Sequence, residues 1–250
     1  MEARRGDGPI LPINYDNATK LLSFSKPHTN VGAVTYGTAV IGRRTAHSFI
    51  PEFEVTLKEK LEEEKKKEEA LKVLDFSRRL SRFFMERWGE GMLPDYKGPD
   101  MVFIVGGYDP GAAYGSVFLF GIPSQPEPKP RNPDDFGMTW GGQLQIASRI
   151  VHGFDPGALE IIRRTVNLDQ DQAEELRAAL RQNLEFPIPY DVLPVQDCVD
   201  LATFLVRSTI TAQSLAIGLR GVGGPIDVAV ITRTEGLEYV QQKTIHGEAR

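Results

Sequence analysis

The chain opens with a pattern typical of two β-strands joined by a turn. An extended segment near residue 20 is followed, after a turn, by the apolar stretch Val31–Gly37. Lys20 lies in an otherwise apolar row. Either its ammonium group points inward and needs a partner, because an unpaired buried charge is costly, or the strand is an edge strand and Lys20 reaches solvent. Both alternatives fit the alternating residues, which are Ala18, Lys20, Leu22 and Phe24.

From about Thr45 to Trp88 the pattern becomes helical. Segment 52–72 is rich in Lys and Glu, with opposite charges at the i,i+4 spacing that stabilises an exposed helix, as in Glu62 and Lys66. We expect a solvated, protruding helix face here. Apolar residues then recur at helical spacing and predict a stripe that faces the core: Val73, Phe76, Leu80, Phe83 and Phe84.

Strands are predicted again at Met101–Val105 and Ser116–Ile122, which a glycine-rich turn would join as an antiparallel pair. The proline-rich segment Pro123–Pro133 predicts a surface loop. The remaining elements are a helix after Gly141 and Gly142, helices at about Asp171–Leu184 and Gln196–Ile217, and a final hairpin from Ile226 to Val240.

This order of elements predicts the fold class. Runs of strands separated by runs of helices, with hairpins instead of strictly alternating strands and helices, are typical of an α+β fold with antiparallel sheets. The chain shows no internal repeat and no linker. We therefore predict a single domain over residues 1–250, with a helical insertion at about 157–195.

Composition and charge narrow the classes of partner. The 250 residues include 29 Lys and Arg against 34 Asp and Glu, a net charge of −5, so there is no basic footprint for nucleic acid. No apolar run approaches the roughly 18 residues of a membrane span, and no secretory signal is visible. Cys198 is expected to be a buried thiol on a helix, in a reducing compartment such as the cytoplasm. The four histidines lack metal-ligand spacing, so no metal or cofactor is expected.

Taken in chain order, several short segments resemble the proteasome β-type family of N-terminal nucleophile hydrolases. The resemblance implies a four-layer α-β-β-α sandwich of two antiparallel sheets. It also implies a ring-type homo-oligomer of like subunits that acts as a threonine-type endopeptidase on peptide or protein substrates. The matching segments are Glu2–Arg5, Ala18–Phe24, Gly32–Gly37, Phe103–Asp109, Gly141–Gly142 and Pro225–Ile231.

The resemblance also implies roles for individual residues. Lys20 resembles the lysine that keeps the potential near the nucleophile positive, with Glu2 as its acidic partner and Arg4 in support. Gly37 resembles the glycine whose backbone N–H faces the developing oxyanion. Tyr36 and Gly6 resemble positions that bind substrate.

The chain departs from the family pattern in three places. The family's opening strand, with its threonine nucleophile, is missing before Met1, so we expect a true start upstream and no activity from these 250 residues as written. Gly141 stands where the family usually has a serine. Leu219 and Val222 replace the family's Asp-x-x-Ser motif. Two alternatives therefore stay open, a non-catalytic assembly subunit or pseudoenzyme of the same fold, and a small-molecule amidase of the superfamily.

Overall fold

A computed structural model describes residues 2–3, 11–12, 18–65, 69–131, 136–218, 220–244 and 247. The chain divides into two compact units. Unit 1 comprises Met1–Asp135 and Asp227–Arg250, and unit 2 comprises Phe136–Ile226. This division describes contacts and not cooperative unfolding, so the expectation of a single domain stays a prediction.

Unit 1 contains all strands of the described residues. Their bounds are β1 Glu2–Ala3, β2 Leu11–Pro12, β3 Leu21–Ser23, β4 Val31–Gly37, β5 Val40–Ile41, β6 Arg44–Thr45, β7 Met101–Tyr108, β8 Gly115–Ile122, β9 Gln125–Arg131, β10 Val228–Thr232 and β11 Gly236–Gln241. Five of these strands form one antiparallel sheet in the order β3-β4-β7-β8-β9, and the others form two-stranded hairpins, β1-β2, β5-β6 and β10-β11.

Two helices, α1 (Ile50–Glu63) and α2 (Val73–Gly91), follow a short 3-10 turn at His47–Phe49. Helix α2 contacts β7, β8 and β9, and the core between helices and sheet is dominated by aromatic rings in edge-to-face and stacked arrangements. The predicted core stripe of α2 is confirmed, because each of its five residues is buried. The largest fully buried rings are Phe53, Phe76, Phe83, Phe84, Phe103 and Phe120.

The hairpin β10-β11 packs on the other face of the sheet. A Cβ atom built on Gly32 of β4 would lie 2.4 Å from Leu237 Cδ1 and 3.1 Å from Ile231 Cδ1, so the hairpin approaches β4 closely at this glycine. Unit 1 therefore has helices on one face of its main sheet and a hairpin on the other. Antiparallel sheets with segregated helices agree with the predicted α+β class.

The charged segment 52–72 is not one continuous helix, and this part of the prediction was wrong. Helix α1 ends at Glu63, and Lys65 has a left-handed backbone with φ +52°. The partners Lys66, Lys67 and Glu68 of the predicted i,i+4 pairs lie outside the described residues. Among the described residues, the α1 segment pairs with α2: Arg79 Nη2 lies 2.7 Å from Glu64 Oε2, and Lys60 Nζ lies 3.7 Å from Glu86 Oε1.

The proline-rich segment forms a strand, β9, so the loop predicted at Pro123–Pro133 was also wrong. Among the described strands, β9 pairs only with β8 and lies at an edge of the sheet. Its prolines stand at alternate positions, and alternate residues of a strand direct their backbone nitrogens to the same side. The missing N–H groups of Pro126, Pro128 and Pro130 can therefore all face away from β8, and the intervening residues can donate to it.

Unit 2 is helical, with the bounds α3 Leu144–His152, α4 Pro156–Thr165, α5 Gln170–Leu184 and α6 Val195–Leu215. Helices α3, α5 and α6 lie close to their predicted positions, and α4 falls almost wholly within the helical insertion predicted at about 157–195. Helix α3 packs against α6 around Ala147, Val151 and Leu205, whereas no residue of α5 is buried. Asp155 and Asp169 cap α4 and α5.

Cys198 lies on α6 as predicted, but it is exposed and not buried. It shares a face with the buried Leu205, seven residues further along the helix. The nine residues of α3 are far shorter than the 21 of α6, so α3 can cover only part of that face. Among the helices that the structure describes, none has the length and apolar character needed to cross a lipid bilayer.

Candidate functional site

Lys20 stands at the start of edge strand β3. Its carbonyl accepts a hydrogen bond from Thr35 N at 2.9 Å, so the ladder between β3 and β4 extends one residue beyond β3. Lys20 is exposed, which agrees with the edge-strand alternative. Neighbouring atoms still remove part of the water around its amine. This partial burial, together with the nearby charge of Lys243, lowers the pKa of Lys20 below its usual value.

Lys243 follows β11 and is fixed by two partners. Its Nζ lies 3.2 Å from Asp227 Oδ2 and donates to Ala18 O at 2.8 Å. The Lys243 backbone N donates to Asp227 Oδ1 at 2.8 Å. Both side chains are largely removed from solvent, with 8% of Asp227 and 18% of Lys243 exposed. The residues leading into β3 are therefore tied to both ends of the hairpin β10-β11.

Gly37 ends β4 near the same edge. Thr35 N points toward β3, and alternate residues of a strand direct their N–H groups to the same side, so Gly37 N–H also points toward the β3 side. Gly37 has φ +81°, and a Cβ atom there would lie 2.1 Å from Asp100 O. Only glycine fits this backbone without displacement of the β7 side.

Tyr36 belongs to the opposite face of β4. By register it shares the face of Gly32 and Val34, whereas Lys20 lies opposite Thr35. Tyr36 is half-buried, and this burial raises the pKa of its hydroxyl, although Arg131 acts in the opposite direction. The phenol is therefore protonated at neutral pH and can donate a hydrogen bond.

Other predicted site residues fall elsewhere or lie outside the described part of the chain. Arg4 and Gly6 lie outside the described residues. Glu2 is described only as backbone, in β1 opposite Pro12, so its pairing with Lys20 stays a prediction. Gly141 belongs to unit 2 and precedes α3.

Leu219 and Val222 are the apolar positions that depart from the family pattern. Leu219 lies outside the described residues. Val222 is in unit 2, where Gln213 Oε1 accepts hydrogen bonds from Gly221 N at 2.7 Å and Val222 N at 3.2 Å. A glutamine thus fixes the backbone of this loop, and the Val222 side chain offers no polar group.

The sequence interpretation missed Asp227 and Lys243. A signal existed for Asp227, because it is the one acidic residue in the apolar run Ile226–Ile231 and a buried carboxylate needs a partner. Nothing in the local pattern identifies Lys243 as that partner, since the pairing depends on the hairpin closing between them.

Three features meet at the start of β3: Lys243 Nζ donates to Ala18 O, its charge acts on the Lys20 amine, and the Gly37 N–H points toward the β3 side. Positive charge and a fixed N–H donor can both stabilise an oxyanion that develops in a reaction at a carbonyl group. Across the described ranges, His, Cys, Asp and Glu residues do not form a group of three that could hold a metal ion.

No protein-family model matches the chain, and no curated protein matches it significantly.

Proposed function

We propose that this chain is a proteasome-like subunit of the N-terminal nucleophile hydrolase type, with Lys20 and the Gly37 amide as parts of a threonine-type peptidase site. The observation that carries the proposal is that Lys20 and Gly37 lie at the same end of the β3-β4 pair. The resemblance implies that these two residues act together. The antiparallel sheet with helices on one face and a hairpin on the other is compatible with half of the implied four-layer sandwich.

The proposed chemistry follows from the positive charge of Lys20 and the direction of the Gly37 N–H group. In the proposed reaction, the N-terminal hydroxyl attacks the carbonyl carbon of a peptide bond and its own α-amino group takes the proton. The Gly37 N–H donates to the oxygen that becomes negative, and the positive charge of Lys20 favours ionisation of the hydroxyl. The proposal assigns the nucleophile to the N-terminal residue of the mature protein.

Assembly with like subunits is the second part of the proposal. Unit 2 exposes large apolar side chains on several helices, and extensive apolar exposure is typical of surfaces that another protein covers. We propose that subunits of a ring cover this surface and that the four-layer sandwich is the fold of each subunit. The exposed residues include Ile161, Val166, Leu184, Phe186, Val195, Phe204 and Leu215.

The test uses protein purified from its source organism. N-terminal sequencing and intact mass identify the first residue, which we expect to be Thr, Ser or Cys, and fluorogenic peptides measure hydrolysis. We expect Lys20→Met to lower kcat/KM by about a hundredfold, comparable to the loss of an oxyanion donor. Lys26→Met changes an exposed lysine in the β3-β4 turn and should leave kcat/KM unchanged. Equal rates for the parent protein and Lys20→Met would contradict the proposal.

A non-catalytic assembly subunit is the second candidate, and the loop near Val222 favours it. Gln213 occupies the backbone N–H groups of Gly221 and Val222, and the valine side chain can orient neither an amine nor a water. This candidate predicts rings that neither cleave peptides nor react with a threonine-directed electrophile.

A further inference from the structure

The ion pair between Lys243 and Asp227 joins both ends of the final hairpin. Asp227 immediately precedes β10, and Lys243 lies just after β11. Asp227 accepts from Lys243 twice, at Oδ1 from the backbone N and at Oδ2 from Nζ. A buried carboxylate with two donors holds its lysine firmly, because release of either group would leave the other charge desolvated.

The second bond of the Lys243 ammonium reaches beyond the hairpin. Nζ donates to Ala18 O, two residues before Lys20, at 2.8 Å. Tyr239 of β11 adds a long contact from its hydroxyl to Ser23 Oγ of β3, at 3.4 Å. The hairpin is thus attached on either side of Lys20, before it at Ala18 and after it at Ser23.

The charged group that acts on Lys20 is Lys243, which is bonded to Asp227, and Thr35 lies directly opposite Lys20 in β4. Tyr239 contacts Ser23, and both Ser23 and Tyr36 belong to the other face of the β3-β4 pair. Of this ion pair, Lys243 is the member whose charge acts on Lys20, so the hairpin brings Lys20 a like charge. That charge lowers the pKa of Lys20 in addition to the effect of burial.

We propose that Lys243 is a positioning residue for the Lys20 site: it fixes the chain that leads into β3 against the hairpin β10-β11 and holds a second positive charge beside the Lys20 amine. The inference takes the role of Lys20 from the proposed function. The attachment and the charge effect themselves are properties of the chain that can be measured without any peptidase activity.

Competitive labelling of the native protein with acetic anhydride tests the charge effect. Mass spectrometry gives the labelling rate of Lys20 against pH, with exposed Lys26 as internal reference. Lys243→Gln keeps a hydrogen-bond donor and removes the charge. We expect the pKa of Lys20 to rise, which lowers its free-amine fraction and its labelling rate at pH 8 by about threefold. Lys243→Arg keeps the charge and should retain the parent rate.

Hydrogen exchange tests the attachment. The Thr35 amide donates to Lys20 O, so its exchange reports whether the residues before β3 stay in place. Lys243→Ala should speed this exchange by about tenfold, the size expected for a lost hydrogen bond to a charged group. The exchange of β7 amides serves as the control and should not change.

The outcomes separate the inference from the proposed function. Unchanged Lys20 labelling in Lys243→Gln, or unchanged Thr35 exchange in Lys243→Ala, would overturn the inference. If Lys243→Ala does not fold, the Lys20 labelling rates of Lys243→Gln and Lys243→Arg decide whether the inference stands. If both expected changes occur but the native protein cleaves no peptide, the positioning role stands and the peptidase proposal fails.

Discussion

Gly37 is subject to two constraints at once, a left-handed backbone and a close approach to Asp100 O. We expect Gly37→Ala to lower the free energy of unfolding by about 2–4 kcal/mol, because strain and a backbone clash add. Gly111→Ala is the matched control: φ is +78° there, but no atom lies within 4 Å of the added Cβ, so only strain remains. Urea denaturation measures the free energy of unfolding of both variants. Equal losses of this free energy would contradict the expectation, because they would mean that the clash with Asp100 O relaxes without cost.

Asp155 makes the stability of α4 dependent on pH. Its Oδ1 accepts from Gly157 N at 2.8 Å, and this bond, with smaller effects from Arg149, lowers the pKa of the carboxyl. A lowered folded-state pKa means that stabilisation is present above the unfolded value of about 3.9 and is lost as the pH falls through the folded value. The NMR shift of the Gly157 amide should therefore titrate below pH 3.9. Asp155→Asn should abolish that titration, and a midpoint above 3.9 would contradict the capping role.

At the residue scale, sequence reasoning could single out Lys20 and Gly37 but not the groups that position them. Lys20 interrupts an apolar row, which is visible in the sequence. Lys243 comes 223 residues later, and its bond to Ala18 depends on how the hairpin packs. Periodicity describes local structure and carries no information about such distant pairings.

Among the elements, α2 contributes most to the core of unit 1. Phe76 is fully buried and packs edge-to-face on two other rings. Its ring centroid lies 4.7 Å from that of Phe24, which follows β3, and 5.5 Å from that of Phe53 in α1. We expect Phe76→Ala to lower the free energy of unfolding by about 3–5 kcal/mol, since it leaves a cavity where three elements meet. Chemical denaturation measures the loss. A loss below about 1.5 kcal/mol would mean that the cluster repacks around the missing ring.

The element predictions succeeded where one periodicity dominates and failed where tertiary contacts decide. The apolar stripe around Phe76 predicts α2 correctly, because its residues repeat at helical spacing. Segment Pro123–Pro133 suggested a loop, since proline is excluded from central strands, but at an edge strand alternate prolines cost no ladder bond. Charge spacing similarly extended α1 beyond Glu63, whereas Lys60 and Glu64 pair with Glu86 and Arg79 of α2.

At the scale of the whole molecule, unit 2 has a small core and a large exposed apolar surface. Phe204 of α6 is 53% exposed, and we expect Phe204→Glu to shift the assembly to smaller species, because it places a charge in the proposed subunit interface. Val55→Glu on α1 is the control, with 59% of Val55 exposed. Light scattering after size-exclusion chromatography measures the mass. A parent protein that is monomeric would contradict the assembly proposal.

The proposed function assigns the Lys20 edge of unit 1 to an N-terminal nucleophile peptidase. Its most direct test is intact mass spectrometry of protein purified from its source organism after treatment with a threonine-directed epoxyketone. We expect a covalent adduct on the N-terminal residue of the mature chain, formed much more slowly in Lys20→Met. Absence of any adduct, or an adduct that forms equally fast in Lys20→Met, would contradict it.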